Sequence, residues 1–401
     1  MSESVAVVWS DDYLRYTLGG NHPMHPVRLD LTMRLARELD LLVAPVRVIE
    51  PGSADEATLG TVHTHGYIDA VRRAADEPQP GHGLGTPDDP VFEGMHEAAA
   101  LIAGGSVEAA RQVWSGAAQH AVNVAGGLHH AMADYASGFC VYNDVAIAIS
   151  WLLANGTRRV AYVDVDVHHG DGVQAAFYDD PRVLTISMHE SPLTLFPGTG
   201  FAAETGVGDG VGSAVNVALP PRTGDAGWLR AFHAIVPGAL RAFQPEILVT
   251  QCGCDNHRDD PLADLGLTVD GERESYRLLH GLAHELCGGR WVATGGGGYG
   301  LVRTVPRAWT HLIAEAAGRP VQPSTPVPDA WAAYVRERVR LPAALDPGPA
   351  RREPPATMGE GELSVGAPWD GQRDTPLDKA VAASRDACFP LLGLDPFDPR
   401  D

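Results

Sequence analysis

Cysteine is scarce and odd in number. Five residues (Cys140, Cys252, Cys254, Cys287 and Cys388) in a chain of 401 do not make a disulfide framework, and the odd count fits a reducing cytoplasm. No run of about 18 consecutive apolar residues occurs, so no membrane span is expected. The opening, Met1 to Trp9, has no basic segment leading into a long apolar stretch, so no secretory leader is expected either. Basic residues are outnumbered, 30 against 51 acidic, for a net charge of −21. Such a surface repels phosphate backbones and argues against direct nucleic-acid binding. It would suit a basic peptide partner, although acidic charge also serves plain solubility. No internal repeat is apparent.

What is present is apolar material, 44% of the residues. That is enough for one large α/β domain or two ordinary ones. Apolar spacing predicts a strand at Val5–Trp9 and a helix over Pro26–Leu42, then a long helical stretch from Met95 to Gln119. Asp144 is placed to cap a helix through Leu153 that stops at Asn155-Gly156. Strands follow at Arg159–Val167, Val183–Met188 and Ala214–Ala218. A helix around Trp228–Phe243 leads to the strand Ile247–Gln251, and a helix over Gly271–Leu286 leads to the strand Trp291–Thr294. This alternation predicts a mainly parallel sheet with helices on both faces. The strands run into the polar or glycine-rich loops Asp164–Gly172, Gln251–Asp260 and Gly295–Gly300, at the edge where open α/β sheets bind ligands. Beyond about residue 320 the pattern decays. One helix is expected at Trp331–Val339, and Pro342–Pro376 reads as extended and loosely packed.

The most informative segment is Val163-Asp164-Val165-Asp166-Val167-His168-His169-Gly170-Asp171-Gly172. On a strand, alternate residues share a face, which would project Asp164, Asp166 and His168 together. Clustered acids repel one another unless a cation or hydrogen-bond donors neutralise them. A divalent metal on Asp166 and His168 answers that problem, with Asp255 of Gln251-Cys252-Gly253-Cys254-Asp255 as third ligand and a position left for water or substrate. Zinc suits the set, and iron(II) also accepts one histidine with two carboxylates. A salt-bridge or capping network is the plainer alternative. Cys252 and Cys254, with no second cysteine pair, read as small buried neighbours rather than ligands.

Two further segments belong with these. In Ala125-Gly126-Gly127-Leu128-His129-His130-Ala131 the glycines admit close backbone approach, and adjacent imidazoles suit proton transfer near neutral pH. Asp164 and Asp171 are spare acids that could orient them. Gly295-Gly296-Gly297-Gly298-Tyr299-Gly300 matches G-x-G-x-x-G in form. A dinucleotide site, however, needs a second strand ending in an acid about 20 residues on, whereas Leu301–Ala317 reads as helix. A glycine loop that brings the Tyr299 phenol to a developing oxyanion fits better.

The segments AGGLHHA, SGFCVYND, YVDVDVHHGDGVQAAFY, LFPGTG, QCGCD and GGGGYG, in this order, resemble the zinc-dependent histone deacetylase superfamily. Gln251–Asp255 and His22-Pro23-Met24-His25-Pro26 look most like the bacterial acetoin-utilisation deacetylases. The resemblance spans about residues 5–320. It implies an α/β protein with the three-layer α/β/α arginase–deacetylase fold around a mainly parallel eight-stranded sheet, with residues 1–320 as catalytic domain and 321–401 as a partly irregular, Pro/Gly-rich extension. It implies a zinc-dependent amidohydrolase that removes acetyl groups from lysine side chains. Asp166, His168 and Asp255 would hold the metal. His130, paired with Asp171, would be general base and acid, and His129, paired with Asp164, its electrostatic companion. Tyr299 would polarise the carbonyl. Gly138, Phe139 and Phe196 would wall a tunnel with Leu262 at its rim, and Asp88 would grip the substrate backbone there, with Asp89 as rival. Arg28 would line an internal cavity. Potassium would sit on side chains of Asp164, Asp166 and Ser187 with backbone oxygens of His168 and Met188. The implied substrate is an acetylated protein such as acetyl-CoA synthetase, or a small acetyl-amine, and an oligomer is compatible with the family. The alternatives are an acetylpolyamine amidohydrolase and a non-catalytic acyl-lysine-binding scaffold.

Overall fold

The computed structural model describes residues 4–341, 345, 352–361 and 363–401. Eight short strands form one sheet: β1 (Val5–Val8), β2 (Val46–Ile49), β3 (His120–Asn123), β4 (Val160–Asp164), β5 (Val183–Glu190), β6 (Ala214–Leu219), β7 (Ile247–Gln251) and β8 (Trp291–Thr294). Their order is β2-β1-β3-β8-β7-β4-β5-β6, and every neighbouring pair is parallel. A parallel sheet must be covered on both faces, and successive residues of a strand point to opposite faces. Ala6, Val8, Val160, Tyr162, Ile247 and Val249 accordingly feed one core with Val145, Ile149 and Leu152. Val5, Val7, Ala161, Val163 and Leu248 feed another with Met33, Phe232, Leu279 and Leu312.

The helices that cover these faces include α1 (Val27–Glu38), α4 (Met95–Trp114), α5 (Asp144–Ala154), α7 (Asp225–Phe243), α8 (Val269–Cys287) and α9 (Val305–Ala316). Three short helices complete this part: α2 (Glu56–Leu59), α3 (His65–Arg73) and α6 (Asp171–Ala176). One expectation needs correction. Asp144 does not cap α5; Asn143 does, its side chain accepting from the Ala146 amide at 2.9 Å. Asp144 turns inward instead and accepts from the amides of Gly127 and Leu128.

After residue 320 the chain forms α10 (Asp329–Arg338) and α11 (Pro376–Leu392). The second was not expected from sequence. It packs on β6 and α7, where Ser384 donates to the carbonyl of Asn216 at 2.6 Å and the fully buried Arg385 donates to the carbonyl of Ala234. Of the segment Pro342–Pro376 expected to be extended, residues 342–344, 346–351 and 362 lie outside the described residues. The short run 357–360 is tied to α9, Arg307 donating to carbonyls of Thr357 and Gly359.

Candidate active site

All strands point the same way, so their C-terminal ends line one edge. Four strands adjacent at the sheet centre, β3, β8, β7 and β4, send their following loops to one place. Those loops carry His129 and His130, Gly295–Gly300, Cys252–Asp255, and Val165–Asp171.

The acidic centre comes from two of them. Nδ1 of His168 lies 3.1 Å from Oδ1 of Asp166 and 3.1 Å from Oδ2 of Asp255. One ligand atom from each residue falls within 4.8 Å of the others. Both carboxylates are fully or almost fully buried. Backbone and side-chain donors aim them: the amides of Gly297 and His168 and Nε2 of Gln251 reach Asp166 at 2.7–2.9 Å, and the Val167 amide reaches Asp255 at 3.0 Å. Gly297 has to be glycine, since a Cβ there would meet Oδ2 of Asp255 at 2.0 Å. Burial and the neighbouring Asp166 push Asp255 up to about 6. Burial also opposes charge on Asp166, but His129 and hydrogen bonds from His168 and Gln251 outweigh it and hold the group well below the usual carboxylate range. Two buried carboxylates around one imidazole nitrogen are the donor set of a borderline divalent cation, and such a cation removes their mutual repulsion. Cys252 and Cys254 are not part of it. Burial pushes Cys252 up to about 12 and Cys254 up as well, so both are protonated packing groups.

Asp164 departs from the expectation that it shares a face with Asp166 and His168. The strand ends at Asp164, so the alternation stops there. Its Oδ2 instead takes Nδ1 of His129 at 2.7 Å and the phenol of Tyr162, and its Oδ1 takes the Asp166 amide at 3.1 Å. His130 forms the matching pair, Nδ1 to Oδ1 of Asp171 at 2.6 Å. The two Nε2 atoms lie 3.1 Å apart. Burial opposes a charge on His129, but Asp164 and Asp166 raise it to about 9. Burial and the charge on His129 push His130 down to about 4. Their neighbours thus bias the two imidazoles in opposite directions, His129 toward carrying a charge and His130 away from it. His169 faces elsewhere, toward Thr199 and Gln174.

A small cavity joins His130, Asp166, His168, Gly138 and Tyr299. The ring of Phe139 meets Tyr299 edge-on at 5.8 Å, and that of Phe196 meets His130 at 5.1 Å. The amide of Tyr299 is held by Asp260 at 2.8 Å, and burial and Asp255 keep its phenol well above the ordinary value. Phe139 also borders a surface depression shared with His22, Asp88 and Leu262. Asp88 is exposed there, whereas Asp89 is buried and driven up to about 8 by burial and by Asp88. Arg28 is buried, donating to the carbonyl of Gly296 at 2.7 Å. Ser187 is the register partner of Asp164, its hydroxyl 2.9 Å from Nδ1 of His189, and Met188 beside it is buried.

Residues 22–316 match the family model for the histone deacetylase domain. The chain belongs to the histone deacetylase family. It is 42% identical over 350 residues to the acetoin utilization protein AcuC of Bacillus subtilis, covering 86% of this chain and 89% of that one. The AcuC of Staphylococcus aureus (strain MSSA476) is 37% identical, with 80% and 84% covered. The crystal structure of an HDAC homolog complexed with SAHA superposes with a TM-score of 0.83 at 28% identity, over 95% of this chain and all of that one. An HDAC homolog from Aquifex aeolicus gives 0.82 with the same identity and coverage. This deacetylase therefore has the expected arginase–deacetylase fold and is a hydrolytic enzyme of a generally metal-dependent family. Sequence reading missed the parts played by Gln251, Tyr162 and Asp260. Gln251 stood inside a motif that was noticed, but nothing in one dimension pairs its amide with Asp166.

Proposed function

We propose that this deacetylase removes acetyl groups from lysine side chains of proteins, acting in the cytoplasm. The observation that carries the reading is geometric: His130, tied through Nδ1 to Asp171 at 2.6 Å, shares one small cavity with His129, Tyr299 and the Asp166 and His168 members of the acidic cluster. Zinc, or iron(II), held by those three residues would polarise the amide carbonyl and lower the pKa of the attacking water. His130 takes a proton from that water as its oxygen bonds to the carbonyl carbon. It then returns the proton to the nitrogen as the C–N bond breaks, releasing acetate and the free amine. Asp171 accepts from Nδ1 of His130 and so leaves the lone pair at Nε2. Tyr299 stays protonated and donates to the oxyanion. Asp164 holds His129 charged, and with Asp166, Ser187 and the backbone oxygens of His168 and Met188 it would take potassium.

Gly138, Phe139 and Phe196 form walls flat enough for the apolar stem of lysine, with Leu262 at the rim and Asp88 placed to accept from substrate backbone amides. An acetylated acetyl-CoA synthetase is the partner that the kinship with acetoin utilization proteins suggests. Residues 1–320 would be the catalytic domain, with 321–401 an extension fastened to it.

Turnover of acetyl-lysine peptides against N-acetylated diamines tests the substrate. Peptides should be preferred at least tenfold, and Tyr299→Phe should lose about 10²–10³ in kcat with its metal content unchanged. A preference for diamines would make the enzyme a polyamine amidohydrolase. Equal turnover in the Tyr299→Phe variant would remove Tyr299 from the mechanism.

A further inference from the structure

Three histidines meet at the edge of the sheet opposite the deacetylase site. His120 is the first residue of β3, and His280 and His284 lie one turn apart on α8, where residues four apart share a face. Their Nε2 atoms form a triangle: 3.1 Å from His280 to His120, 3.3 Å from His284 to His120, and 3.0 Å between His280 and His284.

That triangle is frustrated as a hydrogen-bond network. The Nε2 of a neutral imidazole carries either a proton or an in-plane lone pair, not both. Three mutually touching atoms cannot alternate donor and acceptor all the way round. One contact must set two protons or two lone pairs face to face. A cation held between the three rings resolves all three contacts at once, because every Nε2 then presents a lone pair to it. The size agrees: tetrahedral nitrogens at 2.0–2.1 Å from zinc are separated by about 3.3–3.4 Å, a few tenths wider than seen here.

We propose that His120, His280 and His284 form a second metal site, for zinc or another divalent transition ion of its kind. An all-nitrogen set disfavours calcium and magnesium, which take oxygen ligands. The site is partly pre-organised. His120 is fully buried and is the register partner of Trp291 in β8, and the ring of His280 lies nearly parallel to the Trp291 indole, 5.4 Å between centroids. His284 is exposed, so the cluster reaches the surface of the protein. A metal there would clamp α8 to the start of β3, far from the reacting amide, and its role would be structural.

Zinc alone is the probe, titrated into the full-length metal-free chain against a chromophoric chelator. An Asp255→Ala background, which disables the deacetylase centre, should bind one zinc per chain. Adding His284→Ala, a surface change that leaves the circular dichroism spectrum unaltered, should weaken that binding at least 100-fold. The single His284→Ala variant should deacetylate acetyl-lysine peptide as fast as the unaltered enzyme. Zinc should also raise Tm in Asp255→Ala but not in Asp255→Ala/His284→Ala. Identical zinc affinity with and without His284 would overturn the proposal, as would the absence of any zinc binding in Asp255→Ala. Two zinc ions still bound in Asp255→Ala, one of them lost with His284, would uphold this site while removing Asp255 from the deacetylase centre.

Discussion

A methyl group on Gly138 would meet Cδ2 of His130 at 2.4 Å, and the backbone there has φ +55°, a region that side chains rarely adopt. The imidazole can yield only by leaving Oδ1 of Asp171, to which it is bonded at 2.6 Å. Gly138→Ala should therefore lower kcat about 100-fold, the usual consequence of displacing a proton-transfer group by an ångström, while zinc content stays that of the unaltered enzyme. A kcat within twofold would show that the tunnel wall tolerates bulk. At this scale the convergence of the acids and imidazoles was readable, because they are packed into short motifs at strand ends. What each of them touches was less readable. Asp164 turned out to serve His129, and Asp88 was separated from Asp89 only by burial. Gln251 aims Asp166 from the neighbouring strand end, a relation set by strand order rather than by sequence spacing.

Among the elements, the junction of α5 with the histidine loop is the most consequential. Asp144, first residue of α5, accepts from the amides of Gly127 and Leu128 and from the hydroxyl of Ser106. The next two residues after Leu128 are the histidine pair, so one buried carboxylate fixes the backbone that leads into it. Asp144→Ala would orphan three buried donors and should cost about 3 kcal/mol, with activity falling alongside. Asp144→Asn retains one acceptor and should recover part of both. Urea midpoints and kcat measured on the two variants check this, and equal midpoints for Asp144→Ala and the unaltered protein would refute it. Sequence reading mistook Asp144 for the cap because an acid before an apolar run is a good N-terminal signal, and Asn143 precedes it by one residue. The apolar strands β7 and β8 were found to the residue, since both faces are buried and the turn signals are sharp. The four-residue β2, Val-Arg-Val-Ile with two exposed positions at the sheet margin, has too weak a pattern to recognise. Helix α11 was hidden by its proline-rich approach, although Pro376 stands at the start of the helix, where proline is tolerated.

For the molecule as a whole, the open question of the sequence was whether residues after 320 belong to the folded body. Glu360 binds them to it at one point. Its carboxylate receives Nε2 of His257 at 3.2 Å, Arg307 at 3.0 Å and Arg258 at 3.1 Å, and its amide donates to Asp270 at 2.6 Å. His257 and Arg258 lie in the loop that carries Asp255, so this contact also braces the candidate metal centre. Burial resists the charge on Glu360, but His257 and Arg307 prevail and hold it down to about 2, against an ordinary value of 4.5. The sign follows from linkage. A carboxylate with a lowered folded-state pKa contributes its full stability above 4.5, and that contribution fades as pH falls from 4.5 toward 2. Glu360→Gln lacks the charge at every pH. At pH 7 it should be less stable by about 2 kcal/mol, a figure discounted for partial solvent screening. Below pH 4.5 the two proteins should converge by about 1 kcal/mol per pH unit, since protonating Glu360 makes it resemble the glutamine. Urea unfolding at pH 7, 4.5 and 3.5 reads the difference directly, and comparing the two proteins cancels the other acids that titrate in this range. A gap that stays constant from pH 7 to 3.5 would mean that the ion pairs contribute nothing and that the extension is held by its apolar contacts, Met358 against Leu31 and Trp331 among them.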